Sequence, residues 1–194
     1  MDKMKAYEKP WFEYWKAEQL DTIEATMTGG GGGQLGIYIP EQYGNGPFTV
    51  TFYDETLWNS GTSQNALYEM WSARPAGTRW NDGIAVLDGL WLIACTSTFG
   101  AVGDIVSFYL GDPDGFYGVS IDLDCVIADI KSQSDPDCNL YGHDNGQRIL
   151  EFEVSKDRYI ANGSQNPGSN GWKTEWGGQR VSRVFNYHVN VLNL

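Results

Sequence analysis

The chain has 194 residues, 41% of them hydrophobic, and a formal net charge of −12. That length holds one domain with a core of its own, or one domain with an appendage. So acidic a chain, with no Lys/Arg cluster, is unsuited to nucleic acid or an anionic membrane, which both select a basic face. No segment approaches the apolar length of a membrane span, and Met1-Asp2-Lys3-Met4-Lys5 leads into Trp11-Phe12-Glu13-Tyr14 instead of an apolar core. Neither a membrane partner nor a secretory signal is therefore expected.

In chain order, the first predicted element is a helix over 10–28. Pro10 suits a first helical position, and Phe12, Trp15, Leu20, Ile23 and Met27 recur on roughly one face. Gly29 to Gly33 is an unbroken glycine run, too costly in backbone entropy for a helix or strand. The expected organisation is a helical segment over 1–28, a glycine-rich linker over 29–36 and a β domain over 37–194. The helix then reads as the end of a coiled coil or a docking segment.

Beyond the linker, Phe48, Val50 and Phe52 alternate with Thr49, Thr51 and Tyr53, which predicts a half-buried strand. A short helix is expected over 63–73, capped by Ser63, with Leu67, Met70 and Trp71 inward and Pro75-Ala76-Gly77 as its stop. Asn81-Asp82-Gly83 and Asp88-Gly89 are turn signals around strands at 84–87 and 90–96. Further strands are expected at 104–110, 117–121, 123–128 and 149–154, with one or two more in 181–194. Seven to nine short strands with one small helix point to a closed or nearly closed barrel.

The stretch from Cys125 to Val154 carries the chemistry. An apolar run, Cys125 to Ala128, delivers Asp129 and Lys131 to its end. A turn-rich excursion holds Cys138, Tyr141, Gly142 and His143, and a second β-type run returns with Glu151 and Glu153. Two acids at strand ends, with a His and a Lys nearby, is how a β-scaffold assembles an acid/base site.

Asp88 to Ala94, Val102-Gly103-Asp104, Val126 to Lys131, Gly142-His143 and Glu151-Phe152 together resemble a double-psi β-barrel domain. The version they resemble is the cell-wall lytic domain of bacteriophage tail lysins and endolysins, related to the barrels of lytic transglycosylases, rare-lipoprotein-A-like proteins and expansins. The resemblance spans positions 80–185 and leaves the N-terminal part unmatched. It implies a barrel with a shallow groove for a peptidoglycan glycan strand, cleaved by one or two carboxylates without a cofactor. It also implies a protein borne on a virion or delivered to the bacterial wall, with a phage tail or coiled-coil partner for the N-terminal helix. The lytic transglycosylases carry Asp-Thr-Gly where this chain has Asp129-Ile130-Lys131, and a late Asp where Glu151 stands.

Each candidate carries a plain alternative. Alternation puts Leu150, Phe152 and Val154 inward, so Glu151 and Glu153 are either solvated strand residues or groove residues. In the groove reading Glu151 is the acid, kept protonated by aromatic neighbours. Asp129 is either a turn carboxylate or the second groove carboxylate, held ionised by Lys131. His143 is a surface-loop residue, a partner of the groove acids or a metal ligand, although no Cys-X-X-Cys spacing accompanies it. Cys95 reads as a buried small hydrophobe, with a Cys95–His143 thiol hydrolase as the competing reading. Cys125 and Cys138 flank the loop and could staple it in an oxidising place. Asp112-Pro113-Asp114-Gly115 and Ser134-Asp135-Pro136-Asp137 read as turns. Tyr141, Trp172 and Trp176 are the expected sugar-stacking rings, Trp80 a further candidate, and Trp91 a core residue. A non-catalytic glycan-binding or structural tail barrel is the competing function.

Overall fold

The computed structural model describes residues 36–53, 62–111 and 121–194. The chain divides into Met1–Leu35 and Gly36–Leu194. The helix expected over 10–28 and the glycine run fall outside the described residues, as do 54–61 and 112–120.

Among the described residues nine strands form one mixed sheet: β1 (Ile37–Tyr38), β2 (Thr49–Phe52), β3 (Trp80–Asn81), β4 (Ile84–Leu87), β5 (Leu90–Cys95), β6 (Asp104–Leu110), β7 (Ile121–Ile130), β8 (Glu151–Val154) and β9 (Val181–Asn190). Among the described residues the helices of six or more residues are α1 (Ser63–Ser72) and α2 (Lys156–Ala161). The β3–β4 and β4–β5 hairpins turn through Asp82-Gly83 and Asp88-Gly89, all four residues at positive φ. Two such residues in succession give the turn whose twist matches the flanking strands, and Asp-Gly tolerates it best.

The hydrogen-bonded order is β1-β9-β6-β7-β5-β4-β8-β2, with β3 on β4 and β8 also on β5. The β5–β7 and β2–β8 pairings are parallel and the rest antiparallel. Among the described residues β1 and β2 end the path without pairing with each other, so the sheet does not close, where a closed or nearly closed barrel was expected. β1 is two residues long and β2 four, which leaves little backbone for stitching a ring.

One face of the sheet carries the main core: Ile93 and Cys95 from β5, Val106 and Phe108 from β6, Cys125 and Ile127 from β7, and Phe152 and Val154 from β8. The predicted strand at 123–128 belongs to a single longer β7. α1 is capped by Thr62, whose Oγ1 accepts from the Asn65 N–H at 3.3 Å, instead of by Ser63. Leu67 and Trp71 are its buried residues, while Met70 is half-buried. Beyond the C-terminal end of α1, Arg74 grips Asp88 in the β4–β5 turn through two hydrogen bonds of 2.9 and 2.7 Å. β1, β3 and α2 were not expected from the sequence.

Trp172 and Trp176 are not exposed rings. They are 1% and 3% accessible, inside the core. Trp176 stacks on Phe152 at 4.9 Å between centroids, and the Trp172 indole N–H donates to the Asp82 carbonyl at 3.1 Å. The Gly, Asn and Ser residues around them are turn formers that fold this loop onto the sheet. Their polarity signals backbone geometry, not exposure of the rings between them.

Candidate functional site

The site is built on the sheet face opposite the main core. Ala94 of β5 pairs with Asp129 of β7 on one side and with Glu151 of β8 on the other, and Glu151 pairs with Thr49 of β2. Residues opposed in register share a face, so Asp129, Ala94, Glu151 and Thr49 form one row. Two strand spacings separate the acids, about 10 Å between Cα atoms.

A bulge sets the phase of this row. Ile93 pairs with Ile127 but Ala94 with Asp129, so Ala128 is an extra residue in β7. Without it, alternation would carry Asp129 to the core face; with it, Asp129 joins Ala94 and Glu151. The Asp129 Oδ1 accepts from the Ile130 N–H at 2.7 Å and from the Gln64 side-chain amide of α1.

Lys131, just past β7, is anchored by its own N–H on the Cys95 carbonyl at 2.9 Å. Its side chain is 2% exposed. The Nζ lies 3.3 Å from Glu151 Oε1 and donates to the Arg148 carbonyl at 3.1 Å. His143 Nδ1 lies 3.3 Å from the same Glu151 oxygen, and its Nε2 lies 3.2 Å from Asp135 Oδ2. Lys131 therefore serves Glu151, not Asp129 as expected. The reason is geometric: β8 lies on the far side of β5, where the chain leaving β7 bends over it.

The loop that holds His143 depends on Gly142. A Cβ there would sit 2.2 Å from the Arg148 carbonyl oxygen, the atom that accepts from Lys131. Without a side chain at 142, His143 and Arg148 exchange backbone hydrogen bonds of 3.1 and 3.0 Å. Asp144 and Asn145 turn the chain in left-handed conformations, which their short polar side chains tolerate. Asn139 Oδ1 accepts from the Tyr141 and Gly142 N–H groups at 2.8 and 3.2 Å.

Burial divides the charged groups. It raises the Asp129 carboxyl; the Ile130 N–H opposes this and the nearby Glu151 charge adds to it. Burial raises Glu153 well above the usual carboxylate range, with Asp129 and Glu151 adding repulsion. Burial lowers Lys131, opposed by its Glu151 partner. A carboxyl raised by burial thus stands across Ala94 from one that faces an ammonium and an imidazole.

Four of the expected site residues come together: Asp129, Lys131, His143 and Glu151. Tyr141 stands at the edge of the loop, its ring against Tyr43 at 4.9 Å. The glutamates are not solvated strand residues, since Glu151 is 18% exposed at its side chain and Glu153 is buried. Cys95 is fully buried in the main core, its thiol pushed up to about 12 by burial, which suits a hydrophobe and not a nucleophile. All three cysteines are free thiols, so Cys125 and Cys138 make no staple. Among the described residues no group of three or more His, Cys, Asp or Glu side chains could hold a metal ion.

Sequence reasoning passed over Gln64, Asp135 and the rings Tyr53 and Tyr68 that gather near Trp80 beside the acids. Tyr53 follows Thr49 and Thr51 on the face of Glu151 and Glu153, and the Glu153 charge helps burial to raise its hydroxyl. Its ring lies 4.3 Å from Trp71 and 5.7 Å from Tyr68, and Trp71 lies 5.1 Å from Trp80. Tyr68, Tyr53 and Trp80 are half-buried. No family model, curated protein or solved structure matches the chain. Function must be read from the site itself. No helix among the described residues is long and apolar enough to cross a membrane.

Proposed function

We propose that the domain cleaves the glycan strand of bacterial peptidoglycan with the carboxylates Asp129 and Glu151. The observation that carries this reading is their placement in one cross-strand row, with Lys131 and His143 both on Glu151 Oε1. An acid raised by burial, in one row with a second carboxyl that faces an ammonium, is what glycosidic cleavage needs. The assignment reverses the one drawn from sequence. Asp129, raised by burial, donates its proton to the departing glycosidic oxygen. Glu151, paired with Lys131, carries the negative charge that stabilises oxocarbenium character at the sugar.

As the C–O bond breaks, the Asp129 proton ends on the leaving sugar and Asp129 becomes a carboxylate. It then accepts a proton from the attacking hydroxyl. If that hydroxyl belongs to the same sugar an anhydro ring closes, and if it belongs to water a reducing end forms. Tyr68, Tyr53 and Trp80 replace Trp172 and Trp176 as the rings that hold carbohydrate. The fold that goes with this reading is a double-psi β-barrel, supported by the two parallel pairings β2–β8 and β5–β7. Delivery to the wall by a phage tail goes with it too.

A non-catalytic glycan-binding module is the second reading. It is favoured by the full engagement of Glu151 Oε1 by Lys131 and His143, which a purely structural tie would also produce. Incubation with purified peptidoglycan and mass spectrometry of released fragments separates the two. New anhydro or reducing ends support cleavage and name its type. Binding to the wall with no new ends overturns it.

A further inference from the structure

We propose that Asp135, in the loop between β7 and the His143 turn, is a positioning residue that acts through His143 on Glu151. The inference rests on the glycan-cleaving reading of that site.

The three side chains form a chain from solvent inward. Asp135 is 51% exposed, His143 25% and Glu151 18%, and beyond them the Lys131 side chain is 2% exposed. The imidazole faces a carboxylate oxygen from each ring nitrogen, at 3.2 and 3.3 Å. A neutral imidazole has one N–H, and an ionised carboxylate has none to give. Both contacts are hydrogen bonds only when the trio carries one proton more than that. With that proton present, the chain can pass it between His143 and Glu151. When Nδ1–H passes to Glu151 Oε1, Nε2 keeps its proton beside Asp135 and the ring is left neutral. The reverse transfer leaves Glu151 a carboxylate and returns the ring to its starting form, so protons balance in each direction.

The backbone is built to keep this contact. The Asn145 N–H donates to the Asp137 carbonyl at 2.7 Å, which ties the Asp135 loop to the His143 turn. The Cys138 N–H donates to the Asp135 carbonyl at 3.0 Å, closing the turn that presents the carboxylate. The other charges near the ring are the Asp144–Arg148 pair of its own turn and Lys131 behind Glu151. The Ser-Asp-Pro-Asp stretch, which in sequence reads as a plain turn, thus supplies an orienting acid. Asp135 fixes the ring so that Nδ1, not Nε2, meets Glu151.

The test compares the full chain with Asp135→Ala and Asp135→Glu, using soluble glycan oligomers for kinetics and 15N-labelled histidine for the ring nitrogens. The exposed His188, the chain's other histidine, is the internal reference. Asp135→Ala is expected to lower kcat about tenfold with KM within about twofold, and Asp135→Glu to restore most of the rate. The His143 Nε2 signal changes in Asp135→Ala while the His188 signals stay put. Parent-like kcat together with unchanged His143 signals in Asp135→Ala overturns the proposal. If the parent cuts no glycan, it is the cleavage reading that fails. The nitrogen signals then still decide whether Asp135 positions His143.

Discussion

Replacing Glu153 by Gln is expected to make the fold more stable at neutral pH, although it alters a buried residue. Glu153 is 2% exposed on the site face of β8, beside Thr51, with Asp129 and Glu151 as charged neighbours. Its carboxyl is raised well above the ordinary range, burial being the larger cause. In the unfolded chain the same group ionises near pH 4.3. Its stabilising contribution is therefore complete below that pH and is lost as pH rises toward the folded value. A single differential proton gives a slope of about 1.4 kcal/mol per pH unit. Gln has nearly the same shape and does not titrate. The stability difference between Glu153→Gln and the parent should be flat below about pH 4 and then grow in favour of Gln at about that slope. It levels off once pH passes the folded value. Asp129 is shifted in the same direction, but it is present in both proteins and cancels to first order in the difference. Urea unfolding of both proteins at half-unit steps from pH 4 to 8 measures the curve. A difference that stays flat across this range would refute the reasoning, because it would mean that Glu153 ionises equally well in the folded state.

Four further outcomes follow from named contacts. Lys131→Met leaves Glu151 without its ammonium partner in a poorly hydrated place and should cost about 3–5 kcal/mol in urea unfolding, part of which Lys131→Met/Glu151→Gln recovers. Gly142→Ala drives a methyl into the Arg148 carbonyl and should cost about 1–3 kcal/mol, with loss of the His143 Nδ1 contact in NMR spectra. Trp176→Ala removes a ring packed on Phe152 and Trp91 and should cost about 3–5 kcal/mol by thermal unfolding without a specific effect on glycan affinity. Trp80→Ala should show the opposite balance, weaker glycan binding with a smaller loss of stability.

The hairpins were legible because Asp82-Gly83 and Asp88-Gly89 accept the positive φ that a two-residue turn requires. β4 and β6 fell where their apolar patterns put them. Alternation in β8 also sorted its residues onto the right faces, with Phe152 and Val154 in the core. What it left open was whether the other face meets water or is covered. α1 and the loop carrying His143 cover it, and such long-range cover leaves no mark in a six-residue pattern. The bulge at Ala128 was equally silent, since nothing in Cys125-Val126-Ile127-Ala128 distinguishes an extra residue from a regular one. It nevertheless decides which face Asp129 joins. The convergence of Asp129, Lys131, His143 and Glu151 was readable because one loop links two strand ends. The partner of Lys131 was not, because it depends on β5 lying between β7 and β8. For Trp172 and Trp176, turn-forming neighbours were mistaken for a sign of exposure.

The most direct measurement is the rate at which new glycan ends appear when Asp129→Asn and the parent are given the same purified peptidoglycan, with folding of both verified by circular dichroism. Asn keeps the shape of Asp129 and removes its transferable proton. The parent is predicted to release fragments while Asp129→Asn slows by a factor on the order of 100 or more and still binds the wall. Fragment release by Asp129→Asn at the parent's rate would contradict the assignment of this carboxyl as the proton donor.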